Sequence, residues 1–275
     1  MISEDFKVRY VRLPVVTGLI SHTALLVRMS QMDIRRRYLG TLLGGVWAIL
    51  FPLATIALIY FVMTYGLKVK VPLGDVPFVH WLISGMLAWF FLSEMLSTGF
   101  GAIVESPHLV TKMRFPLLIL VPVKVVAAIP VHLLLMSVFM IMMAVQGVGS
   151  FIYWIQLPYY ILCATVLALG MNYLTSAAQV FIRDVGNVVG VLLQVLFWAT
   201  PIFWKPDFIA NSKFHFLLYS PFAYIITGYR DSLLDAIPFW QRPIETAIFW
   251  MFALPILVFG IVIFQRLRPH FADVL

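Results

Sequence analysis

The sequence is short of charge and of cysteine, and each shortage excludes something. Only 11% of its 275 residues are charged, against 62% hydrophobic, and the mean hydropathy is +0.98. A globular domain in water carries about a quarter of its residues as charges, so this composition excludes a water-soluble globule and makes lipid the solvent. Cys163 is the one cysteine, which rules out an intramolecular disulfide and a cysteine-type zinc site. No G-x-x-x-x-G-K-[ST] loop occurs, so the chain has no phosphate cradle of that type with which to hydrolyse ATP. H-E-x-x-H and G-x-S-x-G are also absent and the six histidines are scattered, which leaves no catalytic or metal residues to nominate. The first fourteen residues are polar and lack an apolar run before a small-residue cleavage site, so no removable signal peptide is expected.

What the sequence has in abundance is long apolar runs. At ~20 residues for each crossing of a hydrocarbon core, the length allows about six helical spans with short loops. The runs fall at 42–67, 78–100, 117–145, 152–176, 186–204 and 244–265. The expected fold is therefore all-α and polytopic: a cytoplasmic segment with an interface helix over 1–41, a six-span region over 42–265 and a tail over 266–275, together one domain. Residues 205–243 mix Phe208, Phe214, Phe216 and Tyr219 with charges and Pro221. They are too broken to span and too apolar for a solvated loop, and read as short re-entrant or interfacial helices packed against the spans.

The net charge of +7 and pI near 9.6 do not point to nucleic acid, because the bases lie between the apolar runs instead of forming a stripe with exposed aromatics. They report topology. Lys7, Arg9, Arg12, Arg28, Arg35, Arg36, Arg37, Lys112, Arg114, Arg183, Arg266 and Arg268 fall on one side of the alternating runs, against Lys68, Lys70, Lys205, Lys213, Arg230 and Arg242 on the other. The positive-inside rule places the N- and C-termini in the cytoplasm.

Residues 15–34 are moderately amphipathic and too polar to span; they read as a helix in the cytoplasmic interface ending in Arg35, Arg36 and Arg37, either a simple surface anchor or a part of the working machinery. Glu94 and Lys124 fall inside spans, each about ten residues from the loop 105–116, and at ~1.5 Å per residue they sit at similar depth on antiparallel neighbours. A Glu94–Lys124 pair is the simplest way to lower the cost of both charges in lipid, as structural glue or as a polar element of a path. That loop, and the turn at Arg183 and Asp184, read as plain connectors or as docking points for a cytosolic partner. Aromatics make up 15% of the chain, and belts at the headgroup level explain most of them. Trp89, Phe90 and Phe91 lie deeper, where ring faces could stack on sugars.

The run Arg36–Pro52, RRYLGTLLGGVWAILFP, resembles the start of the first span in the ABC-2 type permeases that export polysaccharides. Three later segments resemble the same family in the same order: VTKMRFP at 110–116, VFIRDV at 180–185, and YSPF at 219–222 leading to Tyr229-Arg230-Asp231. The tail from Arg266 to Leu275 is similar to the O-antigen branch. The resemblance implies a homodimer in the bacterial inner membrane, bound to two copies of a separate P-loop ATPase that supplies ATP and Mg chemistry, and moving a lipid-linked polysaccharide to the periplasm. It implies coupling roles for Arg35, Arg36, Arg37, Glu105, His108, Lys112, Arg114, Arg183 and Asp184, and a periplasmic gate containing Tyr219, Pro221, Tyr229 and Arg230. It makes aromatics of the first and fifth spans, such as Trp47, Phe51, Trp198 and Phe203, candidates for the channel wall; with Tyr60, Trp89, Phe90, Phe91 and Trp204 they are the candidates for the substrate path. Related exporters of teichoic acid, capsule or a small lipid or drug are the alternative, and a membrane acyl or glycosyl transferase is the remaining one.

Overall fold

The computed structural model describes residues 22–38, 42–68, 76–111, 115–209 and 211–275, and among these it is helical throughout, with no strand. Among the described residues there are ten α-helices. Helix α1 is Thr23–Tyr38, and α2 is Trp47–Phe61, opened by a 3-10 turn at Gly44–Val46 and closed by a π turn at Val62–Gly66. Next come α3 (Phe78–Gly99), the short α4 (Pro107–Thr111), α5 (Leu120–Gln146) and α6 (Leu157–Phe181). Helices α7 (Val185–Ala199), α8 (Pro221–Arg230), α9 (Pro243–Leu267) and α10 (Phe271–Val274) complete the order.

Among the described residues, five helical stretches are long and apolar enough to cross a membrane: Gly44–Gly66, Phe78–Gly99, Leu117–Gln146, Phe151–Phe181 and Pro243–Val274. They coincide with five of the six runs expected from hydropathy. The fifth run, 186–204, differs: its helix is only the 15 residues of α7. Thr200 leaves helical geometry and Pro201 follows it, and a residue before proline is pushed out of the α region.

Helix α3 is the centre of the bundle. Its Leu82, Met86, Ala88, Leu92 and Met95 are fully buried, and α5, α6 and α8 pack around it. Helices α6 and α9 share the most extensive contact, and it is glycine that permits it. A Cβ at Gly170 would lie 2.7 Å from the backbone nitrogen of Leu257, and one at Gly260 would collide with the carbonyl of Gly170. Small residues let helix backbones approach in lipid, where van der Waals packing holds helices together. The obstacles are backbone atoms that cannot step aside, so Gly260→Leu is expected to cost at least ~2 kcal/mol by overpacking. The check is the yield of folded protein by detergent gel filtration, with Met251→Leu on the exposed face of the same helix as control.

Helices α2 and α7 are peripheral. Only Pro52 and Ile56 of α2 are buried, and no residue of α7 is. Their apolar flanks, including Phe51, Leu58, Phe61, Val191, Val195 and Trp198, stand exposed on the single chain.

Candidate functional site

The two ends of the bundle carry its polar chemistry. At one end, α1 lies across the beginning of α5, where buried Ser30 donates to the carbonyl of Val123 at 3.2 Å. This docking carries Asp33 and Arg37, one helical turn apart, between Glu94 of α3 and Lys124 of α5. Arg37 pairs with Asp33 at 2.6 Å and with Glu94. Lys124 pairs with Asp33 and with Glu105, each at 2.6 Å. The expected direct Glu94–Lys124 pair is therefore replaced by a five-membered chain, Glu94–Arg37–Asp33–Lys124–Glu105, in which α1 supplies the middle members. Charges in lipid need partners whichever helix provides them. The i,i+4 spacing of Asp33 and Arg37 was the sequence signal for this arrangement, and it is readable only once α1 is known to sit there.

A cavity of about 620 Å³ opens beneath α1, lined by this network together with Arg36, Ser97, His108, Phe115 and other residues. A second, of about 330 Å³, runs between α2, α3 and α5 and brings together Trp47, Phe51, Phe90 and Phe91 with His132 and Leu135. Four of the path aromatics thus meet in one cleft. Trp47 and Phe51 are largely exposed. Phe91 is buried and stacks on His132 with centroids 4.2 Å apart. The others are dispersed. Trp89 and Phe203 are core residues, 5% and 7% exposed, both packed on Phe197. In the single chain these two, like Phe91, lie in the core. Tyr60 stacks on Phe78, Trp198 is exposed, and the indole of Trp204 donates to the carbonyl of Trp198 at 3.1 Å.

Of the residues expected to couple to a partner, Arg35, Arg36, Glu105, His108, Arg183 and Asp184 are exposed. Lys112 and Arg114 lie outside the described residues, as do 1–21. The turn at Arg183 and Asp184 is held by Gln179, which the sequence reading did not single out. Its amide donates to the carbonyl of Arg183 at 3.1 Å and its side-chain oxygen accepts from the amide of Gly186 at 2.8 Å. An amide side chain near a helix end, able to bridge both strands of a turn, was the available clue.

At the other end, α8 is tucked against α3, α6 and α9. Pro221 stands in its first turn and Ser220 caps it, accepting from the amide of Ala223 at 3.1 Å. Tyr219, just before, is exposed. Tyr229 and Arg230 point inward. The Tyr229 hydroxyl shares a 2.8 Å hydrogen bond with Nε2 of His132. Arg230 counted as an outer surface charge in the sequence; in the fold it is 3% exposed. Its guanidinium lies 3.6 Å from the Trp81 ring centroid, over the space left by Gly85. It donates to the carbonyls of Pro201, Ile202 (2.7 Å) and Trp81 (3.4 Å). Those at 201 and 202 belong to the turn that follows α7, so one buried arginine satisfies backbone that the end of that helix leaves unpaired. Next to it, outside the five crossing stretches, Asp231 binds Arg242 at 2.6 Å. Burial pushes its carboxyl up to about 6, the arginine pulling the other way.

Tyr229→Phe is expected to leave the ring packing intact and strand the buried His132 nitrogen, costing about 1–2 kcal/mol. A fall of several degrees in the melting temperature of the purified protein is the expected readout, against no change for Tyr219→Phe at the exposed neighbour.

The stretch from α1 to the Asp231 turn, which takes in both polar ends, is the part of the chain that matches a known family: residues 24–234 match the ABC-2 type transporter model. The chain belongs to that family. It is similar to an O-antigen export system permease protein of Klebsiella pneumoniae, 23% identical over 253 residues, which cover 91% of this chain and 95% of the relative. A protein of the same name from Myxococcus xanthus is 26% identical over 219 residues, covering 78% and 82%. The polysialic acid transport protein of Escherichia coli is 21% identical over 244 residues, covering 85% and 89%.

Proposed function

We propose that this chain is the permease subunit of an ATP-driven exporter that carries a lipid-linked surface polysaccharide, O-antigen in the first place, from the cytoplasm to the periplasm. The observation that carries the reading is the family match across both polar ends of the bundle, joined to relatives of nearly the same length that are named for polysaccharide export. The sequence has no P-loop, so the energy comes from a separate ATPase that holds ATP and Mg. The Lys and Arg distribution supports a bacterial inner-membrane protein with both termini inside, α1 in the cytoplasmic interface and Val185–Ala199 with the following turn as a sixth crossing.

The working unit is a homodimer with two ATPase copies. The bare apolar flanks of α2 and α7 are the surfaces for a second copy, which sets Trp47, Phe51 and Trp198 beside a shared channel. The ATPase contacts are Arg35–Arg37, the loop carrying Glu105, His108, Lys112 and Arg114, and the turn at Arg183 and Asp184. Motion of the ATPase reaches the spans through the ion chain, because α1 cannot shift without dragging Glu94 of α3 and Lys124 of α5. A long polymer suits a channel with weak, repeated aromatic contacts better than one tight site. Tyr219, Pro221, Tyr229 and Arg230 belong to the outer gate, the last two as its buried frame.

Capsular polymer is the second reading, carried by the similarity to the polysialic acid transport protein. The test of the exporter is affinity purification from the native membrane. A P-loop ATPase recovered at equal amount, whose hydrolysis falls when Arg183→Glu is introduced, supports it; recovery of the chain alone, active in some lipid or sugar modification, overturns it.

A further inference from the structure

The two cavities at the α1 end are one cleft. Glu94 and Ser97 line both the 620 Å³ chamber under α1 and the 330 Å³ chamber between α2, α3 and α5. The first is charged and the second is walled by aromatic and aliphatic side chains, so the whole has the polarity of an amphipathic lipid. We infer that this cleft is a resident site for a zwitterionic glycerophospholipid with an ethanolamine headgroup, a structural lipid distinct from any transported substrate. The inference rests on the membrane reading of the fold and not on the identity of the cargo.

Charge selects the headgroup. The polar chamber presents Arg36, Arg37 and Lys124 against Asp33, Glu94 and Glu105, a formal sum of zero. Arg37 and Lys124 are each held by two carboxylates. Arg36 makes no ion pair among the described residues and is the guanidinium left for a phosphate. Glu94 and Glu105 keep 43% and 56% of their side chains open, leaving carboxylate surface for a cation beside that phosphate. A primary ammonium brings three N–H donors to those oxygens; a quaternary choline brings none. A phosphoglycerol headgroup satisfies Arg36 but brings no cation to the open carboxylate surface of Glu94 and Glu105, and a diphosphate-linked glycan brings more negative charge than the unpaired Arg36 meets.

Depth agrees with this. Glu94 lies five residues before the end of α3, ~8 Å along the axis, which is headgroup level if that end faces a membrane surface. The apolar chamber continues from there toward Phe90 and Leu135. At about 330 Å³ it has room for part of one acyl chain.

The test is native mass spectrometry of the purified, delipidated transporter titrated with dioleoyl phosphatidylethanolamine, phosphatidylcholine and phosphatidylglycerol. One ethanolamine lipid for each copy of the chain, retained about tenfold better than the other two, is expected. Ser97 is exposed at the neck joining the chambers, so Ser97→Trp should remove that preference, while Leu162→Trp on the exposed face of α6 should keep it. If Ser97→Trp fails to fold, Arg36→Gln carries the same expectation, since it breaks no ion pair. Equal retention of the three lipids, a preference untouched by these variants, or a co-purifying diphosphate-linked glycan displaced by Ser97→Trp would each overturn the inference.

Discussion

Arg230→Leu is expected to destabilise the protein by about 4 kcal/mol and to abolish export, the largest effect of any single substitution outside the glycine crossing. Leucine fills part of the volume but leaves the carbonyls of Trp81, Pro201 and Ile202 without their donor. Each buried acceptor so stranded costs about 1–3 kcal/mol. The cation over Trp81 is lost as well. Arg230→Lys should rescue little, because one ammonium on a flexible stem cannot match a planar fork that reaches carbonyls on two separate segments. Detergent-solubilised protein should melt well below the parent for both variants. A melting temperature within a degree or two of the parent for Arg230→Leu would sink this account of how the end of α7 is closed.

The ion chain at the opposite end gives the second large effect. Asp33 and Lys124 are 14% and 13% exposed at the side chain, so their charges are mostly out of water. Asp33→Asn leaves Arg37 with Glu94 alone and Lys124 with Glu105 alone, and Lys124→Met leaves Asp33 with Arg37 alone and half-exposed Glu105 without its partner. Each is expected to cost about 1–2 kcal/mol, because a mostly buried charge loses one of its two partners. The double variant should cost clearly less than the sum, with a coupling of about 1 kcal/mol, because both single changes break the same Asp33–Lys124 pair. The function of the double variant decides what the network is for. Export lost in a double variant no less stable than either single one means that the network transmits motion from α1; export that falls only in step with stability means that it is an attachment. Strict additivity in the stability measurement would contradict direct pairing altogether.

Hydropathy locates the crossing helices because burial in lipid is a property of composition over a whole window, and four of the runs end within five residues of the observed stretches, the last stopping nine short of Val274. The short α7 was foreshadowed by Pro201, whose effect on the preceding residue is local and therefore visible in a sequence. What a sequence cannot display is which distant helix fills a gap. Glu94 and Lys124 were placed at matching depth by helical rise alone, yet their partners come from α1, and nothing in the spacing of α3 and α5 announces that α1 docks between them. Arg230 shows the same limit from the other side. A charge in a broken segment reads as solvated, and only the room above Gly85 and the face of Trp81 turn it inward. Trp89 and Phe203 were grouped with Trp47 and Phe51 by residue type, whereas the fold separates them into core and surface.

The most direct test of the central claim is depletion of this chain in its native cell, with the polysaccharide followed on both faces of the inner membrane. The account predicts that lipid-linked polymer of normal structure accumulates on the cytoplasmic face while surface polymer disappears, and that the intact chain restores the surface pool where Arg230→Leu does not. Surface polymer at its normal level after depletion, or a cell that no longer synthesises the polymer at all, would contradict it.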